Sequence, residues 1–138
     1  MYLIYPIAVS ILLVSLHVSS SGAADTLNIR DLKFNAVSYQ LKMVTLHGTV
    51  RGLKALPPHF DGRGSRGCTV YGSYTFTLVD ESGEVGVEKV GRCFDEQSKP
   101  PVDEGDAVTA QGQVQFFNVG DFGAQAPTVL LHAQEVVK

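Results

Sequence analysis

The sequence predicts an all-β domain of five strands wound into a small barrel, behind a short helical lead-in. Three observations predict it. "YTFTLVDESGEVGV", residues 74–87, alternates apolar and polar residues, turns, and alternates again, which is the pattern of a half-buried hairpin. "MVTLHGTVRGL", "AVTAQGQVQFF" and "TVLLHAQEVVK" carry the same period of two. Gly48 falls in the middle of the first of these, where it permits the bulge or bend that a small barrel requires.

The chain opens on an export signal. "IYPIAVSILLVSLHV" is a nearly unbroken apolar run, followed by the small residues "SSSGAAD", the signal-peptide arrangement. Cleavage after Ala24 leaves Asp25 as the new terminus; cleavage after Ala23 is the alternative. No Lys or Arg precedes Arg30, so the usual basic start is missing, and an uncleaved anchor is the alternative reading of the segment. Against an anchor, the apolar run is shorter than the roughly 20 residues that cross a bilayer. Residues 1–24 are read as the signal, 25–42 as the lead-in segment and 43–138 as the barrel, one domain in all. Localisation follows as periplasmic or secreted.

In the lead-in, Asn28 can cap a short helix whose Ile29, Leu32 and Phe34 face inward. The first strand then turns Val44, Leu46, Gly48 and Val50 to one side. Residues 52–67, "GLKALPPHFDGRGSRG", hold two prolines and four glycines and predict an irregular loop. In the hairpin, Tyr74, Phe76 and Leu78 share one face, and Val85 with Val87 answer them. Gly83 is placed to adopt a positive φ in the turn, and Asp80 to bond the turn backbone. Pro100 and Pro101 exclude a long helix before the fourth strand but leave room for a turn at 94–98.

Cys68 and Cys93 are the two cysteines. In an exported domain an even count reads as one disulfide; two buried thiols are the alternative. They flank the hairpin at nearly equal distance from its turn, so a bond between them would staple its open end. Two ligands 25 residues apart do not make a zinc site.

Three segments, in order, carry a resemblance: "VTLHGTV", "YTFTLVDESGEVGV" and "VDEGDAVTAQGQV". Together they resemble the OB-fold, in its anticodon-binding and helicase-type pattern, within an exported bacterial protein. The resemblance covers residues 43–138. It implies a five-stranded Greek-key barrel, with Gly105 and Asp106 aiming the chain into the fourth strand and Gly112 relieving crowding there. It also implies a ligand face near strands two and three, bordered by the loops between strands one and two and between four and five. The OB-fold haem chaperones of cytochrome c maturation attach haem through a His followed by Tyr; here His132 is followed by "AQEVVK".

No catalytic motif is present: no G-x-S-x-G, no H-E-x-x-H, no glycine-rich loop opening a helix. The chain is therefore read as no enzyme and as needing no cofactor. The formal charge of -3 supplies no global field toward nucleic acid. Between Asp80 and Asp106 nine acidic residues face three basic ones, the composition of a solvated surface. The residues proposed to bind a ligand are Arg51, Lys54, His59, Phe60, Arg63, Arg66, Tyr71 and Tyr74. They bring basic groups and aromatics to the loop and the strand after it, as a polyanion would require; the plain alternative is a solvated loop. Tyr71 and Tyr74 flank Gly72, so one can point outward, or Tyr74 can join Phe76 in the core. Phe116, Phe117 and Phe122 either cap the barrel or form a patch for a partner.

The expected function is a non-catalytic periplasmic OB-fold module that binds an anionic ligand or a protein partner. Single-stranded nucleic acid or oligosaccharide binding is the alternative. A metal or haem carrier using His47, His59 or His132 is a further one. No stable membrane insertion is expected once the signal is cleaved.

Overall fold

A computed structural model describes residues 27–62, 67–118 and 127–138. The signal segment and its cleavage site lie outside the described residues. Two short helices come first, α1 (Ile29–Phe34) and α2 (Ala36–Tyr39). Five strands form a closed barrel: β1 (Met43–Ala55), β4 (Tyr74–Asp80), β5 (Gly83–Lys89), β7 (Ala107–Phe117) and β8 (Thr128–Val137), in the order β1-β4-β5-β8-β7. β5 and β8 run parallel, and the other barrel pairs are antiparallel. This all-β, five-stranded closed barrel with short helices has the OB-fold order that the strand pattern implied. Three short strands, β2 (His59–Asp61), β3 (Cys68–Tyr71) and β6 (Arg92–Cys93), form a second sheet in the order β2-β3-β6.

Period-2 alternation delivers the barrel core. Val44, Leu46 and Val50 of β1 meet Tyr74, Phe76 and Leu78 of β4 and Val85 and Val87 of β5. Burying apolar side chains of this size contributes about 1.5–3 kcal/mol each. β1 belongs to two pairings at once. Its first half pairs with β7 and its second half with β4, so it must coil sharply near Gly48. A Cβ at Gly48 would stand 2.6 Å from the Val79 carbonyl oxygen, closer than any side chain tolerates. The glycine is there because a backbone crosses at that point.

The helices seal one end. Asn28 Oδ1 accepts the Asp31 N–H at 2.8 Å, capping α1. Ile29 and Leu32 are wholly buried against the barrel, as expected; Phe34 is not, being 81% exposed. α1 ends at Phe34, and its ring leaves the docked face. Asp80 fixes both the helix and the β4–β5 turn. One carboxylate oxygen accepts the Ile29 N–H at 3.0 Å, and the other accepts the N–H groups of Ser82 and Gly83 and the Ser82 hydroxyl. Gly83 does not use a positive φ, unlike Gly52, Gly72 and Gly105. The Asp80 carboxylate shapes the turn in its place.

Burial alone would raise the Asp80 pKa and is its largest single influence. The hydrogen bonds from Ser82, Ile29 and Gly83 together outweigh it and hold the carboxyl below its ordinary value of 3.8. A group depressed in the folded state adds stability above its unfolded pKa and loses it as pH falls through the folded one. Asp80→Asn should therefore flatten the decline in stability below about pH 4. Urea midpoints at pH 7, 4 and 3 measure it. Parallel wild-type and variant profiles would refute the assignment.

Residues 52–62 are more ordered than the composition of the segment predicts, while 63–66 lie outside the described residues. β1 runs on to Ala55, and β2 occupies 59–61. The prolines sit between them, where no ladder donor is required. β2 then pairs with β3, Phe60 opposite Thr69, and β3 with β6. The expected disulfide is present: Cys68 and Cys93 are bonded, with Cα atoms 5.7 Å apart. It ties the return arm of this excursion to the exit of β5, at the open end of the hairpin. The turn expected at 94–98 is also present, with the Ser98 N–H on the Asp95 carbonyl at 3.0 Å.

Candidate ligand-binding surface

A bulge turns two of the proposed residues the same way. Arg51 pairs with Thr77 and Lys54 with Thr75, so Gly52 and Leu53 together stand opposite Phe76. Leu53 packs on the core, which leaves Arg51 and Lys54 both on the outer face. Gly52 accepts the strain with φ of 62°. Glu104 holds the bulge: its two carboxylate oxygens accept the N–H groups of Gly52 and Leu53, each at 2.9 Å. Those bonds, from Leu53 first and then Gly52, lower the Glu104 pKa, and the Arg51 guanidinium adds to the effect. Glu104 thus positions the Arg51–Lys54 pair, a role that no sequence motif signals.

The outer face then runs across the barrel in two rows. One is Lys54, Thr75, Glu88 and His132; the other is Arg51, Thr77, Gly86 and Leu130. The His132 ring lies 4.0 Å from the Glu88 carboxylate. Cations line β1 and carboxylates line β5, so the face is polarised across its width. A shallow depression of about 230 Å³ opens on it beside Thr77 and Gly86.

The second sheet carries the aromatic groups. Phe60 is 70% exposed, yet its ring is supported. A Cβ at Gly67 would meet the Phe60 ring, so the ring lies across a glycine and keeps its other side open. Tyr71 follows Thr69 on that same face and stands opposite Arg92. His59 points to the other face, opposite Val70. Tyr74 is only 2% exposed and stacks on Phe76, centroids 6.1 Å apart. It belongs to the core, and burial raises its pKa. Arg63, Arg66 and Phe122 lie outside the described residues. Phe116 and Phe117 are half-buried.

The structure therefore gathers Arg51 with Lys54, and Phe60 with Tyr71, on two adjoining surfaces. It does not draw them into one cavity. Nor do the histidines among the described residues converge. His47 bonds the Thr109 hydroxyl at 2.8 Å, while His59 and His132 lie on β2 and β8. Among the described residues no group of three or more His, Cys, Asp or Glu comes together to hold a metal ion. Among them, too, no helix is long and apolar enough to cross a membrane.

The larger concavity, about 700 Å³, lies elsewhere, where β5 parts from β8. Lys89, Arg92, Lys99, Gln111 and Gln134 line it. Sequence reasoning misses all five. They come from four separated segments, and only the barrel closure brings them together.

No family model matches this sequence, and a search of curated proteins finds no match. Among solved structures, the chain is similar to the small single-stranded DNA-binding protein from Streptomyces coelicolor. The identity is 14% and the TM-score 0.39, over 70% of this chain and 93% of that one.

Proposed function

We propose that this chain is a non-catalytic binding module, working outside the cytoplasm, that holds an extended anionic ligand. The ligand runs along the outer edge of β1 past Arg51 and Lys54 and onto the open ring of Phe60. The observation that carries the reading is the support of Phe60. A large apolar ring is held out to solvent on a small sheet tied by a disulfide, where a mobile loop would have let it fold away. An aromatic group fixed beforehand costs little ordering entropy when a ligand arrives. The export signal read in residues 1–24 supports the location. N-terminal sequencing of the protein from its native host should find Asp25 or Ala24 at the terminus.

Single-stranded nucleic acid is the second reading. A ring beside basic side chains suits stacked bases, and the strand pattern resembles anticodon-binding and helicase-type domains. The net charge of -3 opposes it.

Fluorescence anisotropy with labelled oligothymidylate and with a labelled anionic polysaccharide tests both readings. Phe60→Ala should weaken the true ligand by about 1–3 kcal/mol if the ring stacks. Arg51→Ala with Lys54→Ala should lower the slope of log affinity against log salt by roughly one to two, because an anionic group that no cation neutralises keeps its counterions. A ligand bound equally by wild type and both variants would place binding elsewhere. Absence of binding to either probe at low salt would reject the anionic reading.

A further inference from the structure

We propose that the cleft between β5 and β8 is a second binding site, specific for a short acidic sugar such as a uronate disaccharide. The parallel pairing of β5 with β8 spans only Gly86–Lys89 against Leu130–Ala133. Beyond it the strands diverge. β5 leaves through Gly91 to place Arg92 opposite Tyr71, while Glu135, Val136 and Val137 stay with β7. The cleft is lined on one side by Ser98, Lys99 and Pro101, and the neighbouring Val102 is 2% exposed and set in the core. The resulting space of about 700 Å³ falls in the range of ligand-sized pockets and suits a ring-sized molecule better than a bare ion.

The charges point to an acidic guest. From Asp80 to Asp106 the chain holds nine carboxylates and three cations, Lys89, Arg92 and Lys99. All three cations line the cleft, and none of those nine carboxylates does. Glu135 is the one acidic residue in the lining. A strongly acidic stretch thus sends its few positive groups to one place and its negative groups elsewhere. The uncharged lining completes the match. Gln111, Gln134 and Ser98 both donate and accept hydrogen bonds, as sugar hydroxyls also do. Val90 and Pro101 offer apolar surface to the C–H faces of a sugar ring.

This site does not rest on the proposed function, since neither Phe60 nor Lys54 borders it. Isothermal calorimetry on the full mature chain, with digalacturonate, the neutral disaccharide cellobiose and citrate, tests it. Digalacturonate should bind, with cellobiose and citrate each at least about tenfold weaker, a difference of about 1.4 kcal/mol. Lys89→Gln with Lys99→Gln should weaken digalacturonate by about tenfold or more. Glu135→Gln should strengthen it, a gain that loss of folding cannot imitate. Phe60→Ala should leave it unchanged, which separates this site from the surface on β1 and β2. No heat with digalacturonate at millimolar concentration would overturn the proposal. Equal binding of cellobiose would overturn the role of the cations, and equal binding of citrate that of the sugar.

Discussion

Replacing Cys68 by Ser should lower the unfolding free energy by about 3.5 kcal/mol, from the loop-closure entropy of a bridge with this spacing. For a domain of this size that is a fall in the thermal midpoint of roughly 10 °C or more. Cys93→Ser should match it, and the double variant should cost no more than either single one, because one bond is being removed in every case. The bond closes a loop of sequence separation 25 that contains the whole β4–β5 hairpin. Its loss mainly frees the unfolded chain. A second consequence is local. β2 and β3 reach the rest of the molecule through the β1 exit, the β3–β4 corner, the short ladder to β6 and this bond, which pins that ladder, so the sheet carrying Phe60 should lose protection first. Hydrogen exchange at Val70 and Thr69, compared with and without reductant, reads that loss. Equal thermal midpoints in the two conditions would show that the bridge adds nothing to stability.

The barrel is legible in the sequence because each strand declares itself locally. Alternation from Val44 to Val50, and from Tyr74 to Val87, is a property of consecutive residues, and the turn between them is held by Asp80 three residues from its partner. The disulfide is legible for the same reason, since its two ends flank a hairpin that can be read. The order of β1 beyond Arg51 and of β2 is hidden because prolines and glycines argue only about the residues they occupy. The pairing of Phe60 with Thr69 is set by residues further along the chain. The outward turn of both Arg51 and Lys54 needs a bulge whose acceptor, Glu104, lies some fifty residues away. The cleft is invisible for a stronger reason. Lys89, Gln111 and Gln134 share no spacing and meet only because β5 and β8 diverge after a short parallel ladder. Composition even points away from it, since the acidic stretch that supplies its cations reads as ordinary solvated surface.

Leu32→Ala should cost about 2–5 kcal/mol, an effect as large as that of a strand residue in the middle of the barrel. Leu32 and Ile29 are both wholly buried and belong to the same core cluster as Leu46, Leu78 and Leu131. The helix that bears them is only six residues long, far below the length at which an isolated helix persists in water. Its stability must come from the barrel whose core it completes. The two therefore fold as one cooperative unit. A chain begun at Met43 should lose the Ile29 hydrogen bond to Asp80 along with both buried side chains, and should unfold at far lower urea than the chain begun at Asp25. The decisive comparison is of denaturant slopes, which scale with the surface exposed on unfolding. If Leu32→Ala left the midpoint unchanged, or if the shortened chain unfolded at the same urea concentration, residues 27–42 would be an ornament on a barrel complete without them.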